Sequence, residues 1–81
     1  MTTQWGKVKR SAHTERVGLI RGAPPAVRDV QIQIQGRDGR WGWEIICGNG
    51  LTARCLYMHQ TEAAAMIDAE RCGLALQAVE R

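Results

Sequence analysis

Val30, Ile32 and Ile34 alternate with Gln31, Gln33 and Gln35. A period of two with β-branched residues on one side is the pattern of a half-buried strand. A second apolar run follows at Trp41, Trp43, Ile45 and Cys47, and a third from Leu51 to Met58. Asp38-Gly39 separates the first two runs and Gly48-Asn49-Gly50 the last two. Turn residues between alternating runs predict consecutive hairpins, hence a three-stranded antiparallel meander.

The apolar face also fixes the register, because a slip of one residue would turn every core side chain outward. A two-residue type I′ loop at Asp38-Gly39 sets Arg37 opposite Arg40, Ile34 opposite Trp43, Ile32 opposite Ile45 and Val30 opposite Cys47. At the second hairpin a two-residue Asn49-Gly50 loop would put Arg54 opposite Ile45. A three-residue loop instead pairs Cys47 with Leu51, Ile45 with Ala53, Trp43 with Cys55 and Trp41 with Tyr57. It also sets Glu44 against Arg54 on the other face. Gly50 then supplies the left-handed residue that such a loop requires.

Beyond Met58 the pattern changes to helical spacing. Thr61 suits an N-cap and Glu62 the first turn. Ala65, Met66, Ala69, Cys72, Gly73, Leu76 and Val79 share one face of a helix over 63–79, with Asp68, Glu70, Arg71 and Gln77 outside its centre. A glycine inside a helix costs about 1 kcal/mol relative to alanine, so Gly73 predicts close approach of helix and sheet. Residues 1–29 show weaker patterning. Arg16 to Arg21 can form one short strand, and Ala23-Pro-Pro-Ala26 breaks regular structure and reads as a hinge. The expected fold is α+β: a three-stranded antiparallel meander packed on one C-terminal helix over 30–81, preceded by a basic, mostly irregular N-terminal arm over 1–29.

Charge sharpens that division. Residues 1–29 carry six basic and two acidic side chains, a balance of +4; residues 30–81 carry five and six, a balance of −1. A basic arm beside a near-neutral domain suits an anionic partner, although a solvated leader has the same composition. Trp5 with Lys7, Lys9, Arg10 and Arg16 makes a basic-aromatic cluster, the candidate contacts to nucleic acid or another anion. At 81 residues the core is near the lower limit for independent stability, which favours a homodimer. With no secretory h-region and no apolar run of membrane-spanning length, a cytoplasmic protein with reduced thiols and no membrane partner is expected.

Catalytic chemistry finds little support. There is no Gly-x-Ser-x-Gly, Walker loop or His-Glu-x-x-His, and the single serine, Ser11, lies near His13 in the arm. Gly36-Arg-Asp-Gly-Arg40 could grip a phosphate, but a charged type I′ turn accounts for it more simply. Trp41 and Trp43 share the core face, which removes them as stacking platforms. Cys55 and His59 have local spacing suited to a metal, with Cys47 and Cys72 as further donors. The register separates Cys47 from Cys55 across the Ile45–Ala53 pair, so no metal site and no cofactor is expected.

Gly39-Arg-Trp-Gly-Trp-Glu-Ile-Ile-Cys-Gly-Asn-Gly, then Tyr57, Ala63, Ala65 and Gly73, resemble the small YegP-like β-β-β-α domains of unknown function. The similarity covers about residues 30–80 and implies the fold and no activity. The chain departs from that pattern in having Thr61-Glu62 where a Ser-Lys step usually opens the helix. The β-β-β-α order is also similar to double-stranded RNA-binding domains, whose helix opens with lysines that meet phosphates. Thr61-Glu62-Ala63-Ala64 argues against that binding mode here.

The reading that remains is a small non-enzymatic binding or regulatory module acting through protein–protein contacts, a homodimer being one form of it. Its candidate partner surface is the outer sheet face: Gln31, Gln33, Ile46, Arg54 and Leu56. The alternative is a nucleic-acid-binding protein that uses the basic arm.

Overall fold

Five strands precede one helix among the described residues of the computed structural model. They are β1 (Gln4–Lys7), β2 (Thr14–Ile20), β3 (Val30–Arg37), β4 (Arg40–Cys47), β5 (Thr52–His59) and α1 (Glu62–Gln77). The structure describes residues 3–7, 14–23 and 27–79, with Lys7, Thr14, Glu15 and Tyr57 described in their backbone only.

The β3–β4 hairpin has the expected register throughout, from Val30↔Cys47 to Arg37↔Arg40. Asp38 and Gly39 both have positive φ, 51° and 80°, as a type I′ turn demands. The β4–β5 hairpin closes through the three-residue loop: Cys47 N donates to Leu51 O at 2.8 Å and Gly50 N to Cys47 O at 3.0 Å. Gly50 has φ 92°. Trp43↔Cys55, Glu44↔Arg54 and Ile45↔Ala53 follow. The expected Trp41–Tyr57 pair does not form. The register shifts after Trp43, and Trp41 stands opposite His59. Strand alternation alone carries no signal for such a bulge, since its extra residues pair with nothing.

Among the described residues the sheet has five strands rather than three. They run β1-β2-β3-β4-β5, every neighbouring pair antiparallel. The first 29 residues therefore supply two strands of the same sheet, and the expectation of a mostly irregular arm is corrected. The short strand expected near Arg16–Arg21 is present as β2; two features hid β1 and the place of β2 in the sheet. Gly6 and Gly18 interrupt the apolar alternation, and β2 shifts register against β3 between Thr14 and Arg16. Gly18 is where backbone meets an aromatic ring, since a Cβ there would lie 2.7 Å from Trp5 Cζ3. The Ala23–Ala26 hinge falls largely on residues 24–26, outside the described ones. Its flanks are tied together: Gly22 N donates to Asp29 Oδ1 at 2.9 Å, and Gln77 Nε2 donates to Arg21 O at 3.1 Å and Arg28 O at 2.8 Å.

The helix starts at its expected cap, with Ala64 N donating to Thr61 Oγ1 at 3.1 Å. It lies on one face of the sheet and buries Ala65, Ala69 and Gly73. Beneath it Ile20, Val30, Ile32, Ile34, Trp43, Ile45 and Cys47 form the core, with Trp5, Trp41 and Cys72 packed at its margin. A Cβ on Gly73 would lie 3.0 Å from Ile20 Cδ1 and 3.2 Å from Val30 Cγ1, so the close approach expected there is present. Val79, assigned from spacing to the helix face, lies past the C-cap Ala78 and is exposed. No helix among the described residues is long and apolar enough to cross a membrane.

Candidate functional site

Alternation along β2, β3 and β4 turns a second set of side chains away from α1. Val17 and Leu19 project from β2, Gln31 and Gln33 from β3, and Glu44 and Ile46 from β4. These residues line an open trough of about 390 Å³, extended by Gln4 of β1. It continues past Ile46 to Thr52 and Arg54 of β5. The expected partner residues Gln31, Gln33, Ile46 and Arg54 therefore share one surface. Ile46 is 45% exposed and Leu56, further along β5, is 59% exposed. Arg54 Nε stands 3.7 Å from Glu44 Oε2 across the strands. From sequence, Val17 and Leu19 were missed because β2 was not assigned to the sheet. The alternating Arg16-Val-Gly-Leu-Ile run was the signal for them.

The basic-aromatic cluster is distributed differently. The Trp5 indole packs over Gly18 and against the core margin. Lys7 is paired in backbone register with Arg16. Arg16 Nε reaches Glu62 Oε1 at 2.5 Å, joining β2 to the first turn of α1. Lys9, Arg10, Ser11 and His13 lie outside the described residues. The Gly36–Arg40 tip is a turn whose arginines are exposed. Gly36 itself is buried with φ 146°, and a Cβ there would lie 2.1 Å from the Arg40 carbonyl oxygen. That glycine serves the hairpin.

A polar cluster occupies the seam between β4, β5 and α1. Trp43 Nε1 donates to Asp68 Oδ2 at 3.0 Å, and His59 Nε2 lies 3.0 Å from the same oxygen. Cys55 completes the group: its Sγ, a His59 ring nitrogen and an Asp68 carboxylate oxygen all lie within 4.8 Å of one another. The bond from Trp43 chiefly holds the Asp68 carboxyl below the usual carboxylate range, with the bond and charge of His59 and the charge of Arg71 assisting against some burial. Burial raises the Cys72 thiol, and the charges of Asp68 and Cys55 raise it further. Burial likewise raises Cys47, followed by the influence of Cys72.

Asp68 had no place among the sequence-derived ligand candidates, which paired Cys55 and His59 with Cys47 and Cys72. Its signal was its position between Ala65 and Cys72, at the flank of the core-facing stripe. Trp43 and Cys55 were assigned to the core face, and the structure keeps both there. No family model, curated protein or solved structure matches this chain.

Proposed function

We propose that this protein is a non-enzymatic binding module whose outer sheet face receives a protein partner, a second copy of the chain being the first to test. The supporting observation is the open trough over β1–β4, where Val17, Leu19 and Ile46 lie beside glutamines and Glu44. Buried apolar centres with polar rims are the anatomy of protein interfaces. Glu44 and Arg54 add opposite charges on the same face. In a two-fold arrangement each patch meets its own copy, so Glu44 of one subunit can pair with Arg54 of the next.

Light scattering on the full-length chain tests this. A dimer has twice the 9.0 kDa chain mass. Ile46→Lys places a charge at the centre of the trough and returns the chain to monomer without loss of secondary structure. A mass of one chain at every concentration, unchanged by Ile46→Lys, sinks the self-association reading.

A further inference from the structure

Along an undisturbed strand, residues four apart are separated by about 13 Å, too far for one ion to bridge. In β5 the pairing steps from Trp43↔Cys55 to Trp41↔His59, so the three residues Leu56 to Met58 of β5 run beside Gly42 alone of β4. The excess is taken up from Leu56 to Met58. The bulge brings His59 back towards Cys55, and re-aiming a side chain is a recurrent use of bulges. Asp68, from the second turn of α1, meets both of them there.

We propose that Cys55, His59 and Asp68 form a binding site for a divalent transition-metal ion of the zinc type, with a fourth position open to water or an exogenous ligand. A thiolate, an imidazole and a carboxylate form a donor set suited to Zn²⁺ and Co²⁺. Tetrahedral bonds of about 2.0–2.3 Å place donors roughly 3.3–3.8 Å apart. The three donors, none more than 4.8 Å from another, need contract by no more than about 1.5 Å. The His59–Asp68 contact of 3.0 Å opens slightly to admit the ion. All three side chains are half-buried, so rotamer changes suffice. Trp43 Nε1 holds the carboxylate by a hydrogen bond to Oδ2, the outer-shell role that orients a ligand. On binding, the Cys55 thiol gives its proton to solvent and its sulfur lone pair to the metal; the proton shared between His59 Nε2 and Asp68 passes through solvent to Nδ1, which frees the Nε2 lone pair and the carboxylate oxygen for two metal bonds.

The test is a titration of the full-length protein with Co²⁺, in buffer with a phosphine reductant, followed by visible and near-ultraviolet absorption. One equivalent produces the intense d–d bands of tetrahedral cobalt together with thiolate-to-cobalt charge transfer. Added Zn²⁺ abolishes both. Cys55→Ser loses the charge-transfer band, whereas the Cys47→Ser/Cys72→Ser double variant keeps it. His59→Gln and Asp68→Asn each weaken affinity roughly tenfold or more. Circular dichroism identifies any variant that fails to fold, in which case the wild-type titration alone decides. No tetrahedral spectrum from the wild type overturns the site. So does a charge-transfer band that survives Cys55→Ser, or affinity unchanged in folded His59→Gln and Asp68→Asn variants.

Discussion

Trp43 and Asp68 are joined by a 3.0 Å hydrogen bond from indole nitrogen to carboxylate. It fastens α1 to β4 at the end of the core opposite Gly73. Trp43 is only 8% exposed, so its N–H has little access to water as an alternative partner. Asp68→Ala removes the acceptor for both Trp43 and His59. Hydrogen bonds to charged groups contribute about 1.5–3 kcal/mol. The Asp68 side chain is 41% exposed, so solvent reduces this, and a loss of about 1–2 kcal/mol is expected. Asp68→Asn, which keeps an oxygen acceptor, loses less. Urea denaturation with a chelator present measures both apart from any metal effect.

The same carboxylate sets an acid limb to stability. Its pKa is lower in the folded protein than in the unfolded chain, chiefly through the Trp43 bond. The associated stabilisation is present above the unfolded pKa and is lost as pH falls through the folded one. Urea midpoints should fall as pH drops below about 4, the ordinary carboxylate range, and Asp68→Asn should flatten that limb. An identical pH profile in the two proteins would remove Asp68 as its source.

Gly73 tests the helix–sheet contact. Alanine gains about 1 kcal/mol of helix propensity over glycine. Its Cβ, however, would sit 3.0 Å from Ile20 Cδ1 and 3.2 Å from Val30 Cγ1, and both neighbours are fully buried. The opposing terms leave Gly73→Ala within about 1 kcal/mol of the parent. Gly73→Val adds bulk with no such gain and destabilises by about 1–3 kcal/mol. Thermal melting of the two variants reads the difference.

Deleting residues 1–22 removes two strands along with the basic cluster. It takes away Ile20, which is fully buried, the Arg16–Glu62 ion pair, and the Arg21 carbonyl that Gln77 holds. Truncating one buried isoleucine to alanine already costs about 2–5 kcal/mol, against a typical total of about 5–15 kcal/mol. The shortened chain should lose its cooperative transition by circular dichroism. Nucleic-acid binding by the basic cluster is better tested with Lys9→Glu and Arg10→Glu in the intact chain. A binding term from those residues falls with added salt; affinity that is independent of salt and of both substitutions excludes it.

The β3–β4 register, both loop lengths, the Thr61 cap and the Gly73 contact were legible from the chain alone. In each case a local rule had only one consistent solution. Alternation left a single register that buried Val30, Ile32 and Ile34, and the apolar face of β4 selected the three-residue loop, whose left-handed position Gly50 fills. A short strand near Arg16–Arg21 was legible, but β1 and the joining of β2 to the sheet were not, because Gly6 and Gly18 interrupt the apolar alternation. The missing side chain at Gly18 is intelligible only once Trp5 is seen lying across it. The trough was half legible for the same reason: Gln31, Gln33 and Ile46 came from strands that could be read, Val17 and Leu19 from one that could not.

The seam shows where sequence gives way to tertiary structure. Sequence determined that Cys55 lies on the third strand of the meander, that Asp68 lies on a helix, and that Trp43 faces the core. Those are consequences of local periodicity. That β5 runs on to His59 came from the structure. Only the folded chain decided that the four meet. A bulge depends on the fit of two strands and a helix together, and its extra residues leave no mark in the alternation on either side. Shifting Trp41 from Tyr57 to His59 brought the imidazole within 3.0 Å of a carboxylate nine residues further along the chain.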